Sequence, residues 1–268
     1  MPAAGFLVIN PRSGSGPPDA EDLVAAARER DIRTHVLQPG EDAAELCAAA
    51  DADCIGMAGG DGSLAPVAAV ALERDLAFAV VPFGTRNHFA RDAGYDRNDP
   101  LAALAAFDGP ERRVDVARVN GRLFLNNASL GIYARLVHHR EHHRRRRAAL
   151  ARLRALALAA RHRHETAFTI DGDTVVARAI LVANNDYELD LFSVGERQDL
   201  DGGLLHAFIT HGVLPNTWEE RAAEHFTIDA PAQPVRLAVD GEPVGLDPPL
   251  EFRIEPRSLR LLVPPSSA

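Results

Sequence analysis

The chain reads as an α/β domain followed by a mostly antiparallel, β-sandwich-like domain with an inserted basic helix. Three observations carry this reading. Apolar runs and amphipathic segments alternate through the first hundred residues, glycine-rich loops close three of those runs, and from Arg113 short strands follow one another without regular helices between them. Alternation of strand and helix at this spacing predicts a parallel sheet covered on both faces. Closely spaced strands separated by turn signals predict antiparallel pairing.

Phe6–Ile9 is a short apolar strand that runs into Asn10-Pro-Arg-Ser-Gly-Ser-Gly-Pro-Pro18. Asp19 is placed to cap a helix reaching about Arg30. Ile32–Leu37 is a second strand, Asp42–Ala50 a short helix, and Cys54–Met57 a third strand closed by Gly59-Gly-Asp-Gly62. Ser63 is read as the cap of a helix through Arg74, and Leu76–Val81 as a fourth strand leading into Pro82-Phe-Gly-Thr-Arg-Asn87. The Asp108-Gly-Pro110 turn marks the boundary, giving domains 1–112 and 113–268. Beyond it, strands are expected at Val114–Val119, Arg122–Asn126, Ala177–Ala183, Leu204–Thr210, Val235–Val239, Leu250–Ile254 and Leu259–Val263.

Ligands of open parallel sheets bind beyond the carboxyl ends of the strands. Sequence order therefore puts NPRSGSG, GGDGS and PFGTRN on one rim. Glycine admits close approach of backbone N–H groups to phosphate oxygens, and a helix N-terminus adds a favourable dipole. Asp61 inside such a loop repels phosphate unless it serves a metal ion or takes a proton. Taken singly, GGDG and NPxSG are ordinary turns; their succession behind three strands is what points to nucleotide.

The stretches NPRSGSG, AGGDGS, PFGTRNHFAR, FLNNASLG (Phe124 to Gly131) and the late Asp240-Gly-Glu242 resemble the diacylglycerol kinase catalytic-domain family, which includes bacterial lipid kinases and sphingosine kinases. The resemblance covers about residues 5 to 263. GGDG is shared with NAD kinases and phosphofructokinases; PFGTRNHFAR draws the chain to the lipid-kinase branch. The resemblance implies an ATP-dependent kinase acting on the hydroxyl of a lipid alcohol, diacylglycerol-like or a long-chain base, with ATP and lipid meeting between the two domains. It implies nucleotide contacts at Asn10, Pro11, Arg12, Ser13 and Gly14, a triphosphate cradle at Gly59, Gly60, Asp61, Gly62 and Ser63, and further contacts at Thr85 and Asn87. It implies Glu242 as general base, with Asp240 and Asp61 orienting Mg²⁺ or the alcohol and Asp61 as a ligand of the catalytic Mg²⁺. Without the resemblance, Asp-Gly between two strands is equally a hairpin turn. Two other functions stay open: a kinase for a soluble alcohol such as NAD, and a catalytically silent nucleotide- or lipid-binding regulator.

The chain departs from the family at Leu200-Asp-Gly-Gly-Leu-Leu-His206, where Gly202 and His206 stand in place of carboxylates and put a structural Mg²⁺ site in doubt. No lysine follows NPxSG, a place Arg12 is suited to fill. The chain stops soon after Pro265, so the segment by which some relatives return to the first domain is expected to be missing.

Charge is unevenly spread. Arg135–His164 carries ten arginines and one glutamate, a net +9, which leaves −18 on the rest of a chain of net charge −9. Arg140, Arg147, Arg154 and Arg161 recur every seven residues, with Leu150, Leu153, Ala157 and Ala160 on another side. This 135–164 segment is read as a basic amphipathic helix, either simply solvated or docked on anionic lipid headgroups. A metal site at His138, His139, His142 and His143 is disfavoured by the adjacent arginines. Nucleic acid is opposed by the acidic remainder, and no aromatic platform is interleaved.

Apolar residues make up 46% of the chain, enough for a real core, and no apolar run approaches the roughly 20 residues that span a bilayer. The start, MPAAGFLVINP, has no basic n-region. Cys47 and Cys54 lack CxxC spacing and read as small core residues. These features predict a cytoplasmic protein, with any membrane contact peripheral on the inner face.

Overall fold

The structure is a computed structural model. It describes residues 5–14, 16–131, 165–187, 189–190, 193–194, 197, 199–211 and 218–265. The basic helix expected at 135–164 lies outside the described residues. The chain divides into two compact units: Met1–Val116 with Asp199–Asp201 and Pro256–Ala268, and Ala117–Gln198 with Gly202–Glu255.

The first unit alternates as its sequence predicts. Its elements run β1 (Gly5–Ile9), α1 (Ala20–Arg28), β2 (Arg33–Val36), α2 (Ala43–Ala49), β3 (Cys54–Gly59), α3 (Asp61–Glu73), β4 (Ala77–Pro82), α4 (His88–Asp92) and α5 (Pro100–Ala103), then a 3₁₀ turn over Leu104–Asp108. β1 pairs in parallel with β2 (Phe6 opposite Arg33) and with β3 (Phe6 opposite Ile55), and β3 pairs in parallel with β4 (Ile55 opposite Phe78). All six residues of β3 and of β4 are buried, as sheet strands covered on both faces require. Asp19 caps α1 through the amides of Glu21 and Asp22, and Asp22 returns the bond to the Asp19 amide. Asp42 caps α2 through the amides of Ala44 and Glu45, without a return bond among those described. Arg74 finishes α2 from outside, its guanidinium donating to the carbonyls of Cys47, Ala48 and Ala50. α3 is apolar almost all round, and Leu64, Val67, Ala68 and Ala71 are buried in it.

The second unit is a β-sandwich. β5 (Glu111–Val119) enters it from the first unit and is followed by β6 (Arg122–Phe124), β7 (Asn127–Gly131), β8 (Thr166–Ile170), β9 (Asp173–Ala177) and β10 (Ala179–Asn184). A small pair, β11 (Leu189–Asp190) and β12 (Ser193–Val194), precedes β13 (Leu205–Thr210), β14 (Trp218–Ala223), β15 (His225–Asp229), β16 (Val235–Val239), β17 (Glu242–Leu246) and β18 (Leu250–Leu262). One antiparallel sheet has the order β14-β13-β10-β7-β16-β17. Facing it, β15 pairs antiparallel with the start of β18 and with β8, and β8 with β9. The core between them holds Phe124, Leu130, Phe168, Ile180, Val182, Phe226, Leu237 and Phe252, with Phe124 and Phe252 packed edge to face at 6.4 Å.

Three expectations are corrected. The helix behind GGDG starts at Asp61 with Gly60 as its cap, not at Ser63, because Asp61 and Gly62 already take helical backbone. The two last expected strands are one, β18, which runs through Glu255-Pro-Arg-Ser258 even though Arg257 has left-handed backbone (φ +48°). A return to the first unit exists: Leu261 and Leu262 pair in parallel with Phe78 and Ala79 of β4. The short apolar run Leu259-Arg-Leu-Leu262 is enough to supply that strand.

Candidate functional site

Parallel pairing of β1, β3 and β4 carries NPRSG, GGDGS and PFGTRN to the same end of the sheet, as expected from sequence order. The loops touch. Asn10 N–H donates to Ala58 O at 2.9 Å, and Phe83 N–H to Gly59 O at 3.1 Å. A Cβ on Gly14 would meet the Phe83 ring, and one on Gly84 would run into Gly60 Cα and stand 2.8 Å from Asn87 Oδ1. Gly60 and Gly84 are therefore backbone against backbone, and Gly84 leaves no room for any side chain. A Cβ on Gly59 would strike Ser63 Oγ, which is fixed by donating to Gly60 O at 2.7 Å.

Asp61 sits at the first position of α3, where a carboxylate suits the helix dipole. Its two oxygens accept the amides of His88 (3.1 Å) and Phe89 (3.0 Å). That is the work of a cap: Asn87, at the cap position before α4, has left-handed backbone (φ +50°) and makes no side-chain cap bond of its own. Asp61 thus ties the GGDG loop to the PFGTRN loop. Asn87 is also turned inward. Its Oδ1 accepts from Gly84 N–H (2.9 Å), and its Nδ2 donates to Gly84 O (3.0 Å) and Arg97 O (3.2 Å). Thr85 and Arg86 are exposed beside it. Gly84 to His88 with Arg97 and Asn98 line an open polar depression of about 200 Å³. Burial pulls the His88 imidazole below its usual range, against the opposing pull of Asp61. Pro11 and Arg12 are exposed, Ser13 and Gly14 half-buried, and Asn10 Oδ1 accepts Arg12 N–H at 3.1 Å, shaping the first loop's turn.

Asp240 and Glu242 belong to the second unit. Asp240 (φ +47°) and Gly241 (φ +84°) form the two-residue turn of the β16–β17 hairpin, with Val239 opposite Glu242. Two left-handed residues match the twist of paired strands. So the hairpin reading of Asp-Gly-Glu holds, and it determines what each carboxylate does. Asp240 is 8% exposed and accepts the amides of Leu125 (2.8 Å), Asn126 (2.8 Å) and Asn127 (3.1 Å), bracing the FLNN segment. Glu242 is exposed at the start of β17.

Asp201, in the loop that departs from the family, faces Arg112 (2.8 Å) and Arg257 (3.7 Å). Its carboxylate is held by two guanidinium groups of its own unit. Cys47 and Cys54 are buried, their thiols pushed up to about 12 and about 11 by desolvation, which suits core packing.

Sequence reasoning missed two groups. Gly84 was one glycine among twenty, and only the loop packing reveals why nothing larger fits. Arg197, 4% exposed, donates to Leu125 O (2.7 Å), Asn184 O (3.1 Å) and Asn126 Oδ1 (3.1 Å), and lies over the Tyr187 ring at 5.0 Å. No periodicity in Gly195-Glu-Arg-Gln-Asp199 marks it as buried.

Residues 4–119 match the model of the diacylglycerol kinase catalytic domain. A protein of Pseudomonas aeruginosa PAO1 named probable lipid kinase YegS-like is 39% identical over 133 residues, 47% of this chain and 43% of its own length. The diacylglycerol kinase of Bacillus subtilis 168 is 39% identical over 92 residues, 33% of this chain and 30% of its own. These matches therefore span less than half of either relative. A YegS-like protein of Cronobacter sakazakii is 28% identical across 98% of this chain and 97% of its own. In fold, the chain superposes on a diacylglycerol kinase of Bacillus anthracis with a TM-score of 0.72 at 20% identity, covering 99% and 98% of the two chains. Among the described residues no helix is long and apolar enough to cross a membrane. Residues 4–119 are thus similar to the diacylglycerol kinase catalytic domain, and the fold over the whole chain is that of the Bacillus anthracis protein.

Proposed function

We propose that this protein is an ATP-dependent lipid kinase that transfers a phosphoryl group to the hydroxyl of a diacylglycerol-like lipid or long-chain base. The observation that carries the reading is the backbone contact of Gly60 with Gly84, behind a helix whose first residue is Asp61. A cradle without side chains beside a helix N-terminus fits phosphate oxygens. Phosphoryl transfer asks the protein for positioning and charge neutralisation more than for covalent chemistry. Gly59, Gly60, Gly62 and Ser63 would hold the phosphates, with Asn10, Pro11, Arg12, Ser13, Gly14, Thr85 and Asn87 around the nucleotide. Magnesium supplies charge neutralisation when bound. Asp61, whose carboxylate also accepts the His88 and Phe89 amides, would be the protein ligand that helps to hold it.

Glu242 is our choice of base. A proton acceptor must be reachable, and Asp240 is committed to three amides while Glu242 is exposed. The lipid acceptor rests on the names of the relatives and on PFGTRNHFAR. Docking on anionic membrane through 135–164 rests on charge alone: each basic residue near such a surface contributes about 1 kcal/mol, screened beyond about 8 Å in physiological salt. Changing Arg144, Arg145, Arg146 and Arg147 together to glutamine is expected to weaken binding to anionic vesicles and leave neutral vesicles unaffected. Unchanged binding to anionic vesicles removes the segment from the reading.

The deciding experiment is transfer of label from ATP to a lipid extract, with NAD as the control acceptor. Label in lipid is expected. Glu242→Gln should lower turnover about 10²- to 10⁴-fold while Mg-ATP still raises the melting temperature. Label in NAD alone reassigns the acceptor, and nucleotide binding without any transfer makes the chain a regulator.

A further inference from the structure

We propose that Asp186, His206 and Glu220 form a binding site for a divalent cation of the zinc class, separate from any magnesium that accompanies nucleotide. The three ligand atoms lie within 4.8 Å of one another. His206 Nδ1 is 2.7 Å from Glu220 Oε1 and 3.8 Å from Asp186 Oδ1. Metal–ligand bonds of 2.0–2.2 Å in a tetrahedron set ligand atoms about 3.4 Å apart, so small side-chain shifts close the set around an ion.

The backbone explains why these three meet. On the paired strands β13 and β14, His206 lies opposite Ala222, and Glu220 is its diagonal neighbour. Long side chains reach across such diagonals. On the other flank, Ala183 of β10 lies opposite His206. Asn185 (φ +68°) then turns the chain while its N–H still donates to Leu204 O at 3.0 Å, and Asp186 follows directly. The imidazole plane is set by Phe208, two residues along the same face, with the rings stacked at 6.2 Å. The His206 side chain is 14% exposed, while those of Asp186 and Glu220 are 71% and 50% exposed. One ligand is thus held firmly, and two close from the solvent side, leaving further positions to water.

The donor set selects the ion. One imidazole nitrogen and two carboxylate oxygens suit zinc, cobalt or nickel; magnesium prefers oxygen and dehydrates reluctantly. His206 stands where sequence reasoning looked for a carboxylate, so the substitution changes the kind of ion favoured. Nδ1 carries a proton when it donates to Glu220 and must give it up to ligate. A bound ion would clamp the turn after β10 to the β13–β14 pair.

The test uses the full chain with His138, His139, His142 and His143 changed to glutamine, which removes the other histidine cluster. Zinc is titrated against a chromophoric chelator in excess magnesium. One zinc per chain is expected. Adding His206→Ala or Glu220→Gln should weaken it at least tenfold, and Co²⁺ loaded in place of zinc should lose its visible absorption bands in both variants. Glu220 is half-exposed, so Glu220→Gln reads the site even if His206→Ala unfolds. Affinity unchanged in Glu220→Gln, or zinc displaced by millimolar magnesium, overturns the proposal and leaves a surface His–Glu ion pair.

Discussion

Asp240 and Glu242 stand two residues apart on one hairpin and are in opposite physical situations. Asp240 receives three amide hydrogens in a buried turn. Removing its carboxylate leaves donors of Leu125, Asn126 and Asn127 without that acceptor, and each unsatisfied buried group costs about 1–3 kcal/mol unless water replaces the partner. Asp240→Ala is therefore expected to destabilise the second unit by about 3 kcal/mol in urea unfolding. Glu242→Gln should change stability by less than about 0.5 kcal/mol, as exposed substitutions do. A stable Asp240→Ala variant that has lost only turnover would move Asp240 from brace to chemistry.

The rim of the first unit is built by whole elements, and much of it was legible in the sequence. Apolar runs ending at Ile9, in Gly59 and at Pro82 forced three parallel strands, and chain order then placed their loops together. What could not be read was the direction of side chains within the loops. Asp61 looked free for a metal because nothing in Gly-Gly-Asp-Gly tells that α4, five residues long, begins beside it without a cap of its own. Asp240 was hidden in the same way, since its three donors are 113 to 115 residues distant. Strands β8, β14, β15 and β17 escaped notice because none carries a continuous apolar run, as in Trp218-Glu-Glu-Arg-Ala-Ala223. The element-scale prediction follows from the cap. Asp61→Ala should cost about 2 kcal/mol, the range of a lost charged cap, and hydrogen exchange should accelerate at the His88 and Phe89 amides. Unchanged exchange at those two amides would show that α4 does not depend on Asp61. Gly84→Ala tests the neighbouring contact: its Cβ has no place beside Gly60, so the melting temperature should fall and the shift given by Mg-ATP should disappear together.

Over the whole chain, β18 is the element that sequence reasoning most underestimated. Its residues from Pro256 onward belong with the first unit, where Leu259 and Leu261 are fully buried and Leu261 lies opposite Phe78. Arg260 points the other way and holds the Glu111 carboxylate with two nitrogens, Nε at 3.0 Å and the terminal nitrogen at 2.9 Å. The two neighbours should respond very differently to truncation. Leu261→Ala removes buried methyl groups from a packed sheet and is expected to cost about 2–5 kcal/mol. Arg260→Ala removes a half-exposed ion pair worth less than about 1 kcal/mol. Its effect is better seen in pH dependence. Hydrogen bonding to Arg260 holds the Glu111 carboxyl below its usual range, so the folded state binds fewer protons there than the unfolded chain. That contribution is present above the unfolded value of about 4.3 and is lost as pH falls through the lower folded value. Arg260→Ala should therefore lower stability slightly at neutral pH, where the pair contributes in full, leave it unchanged at the acid end, where the contribution is already lost, and so flatten the acid limb between them. Leu261→Ala should lower the whole profile by a constant amount. If Leu261→Ala is as stable as the parent, the last strand contributes no core to the first unit; if Arg260→Ala keeps the parent's acid slope, the Arg260–Glu111 pair is not formed in solution.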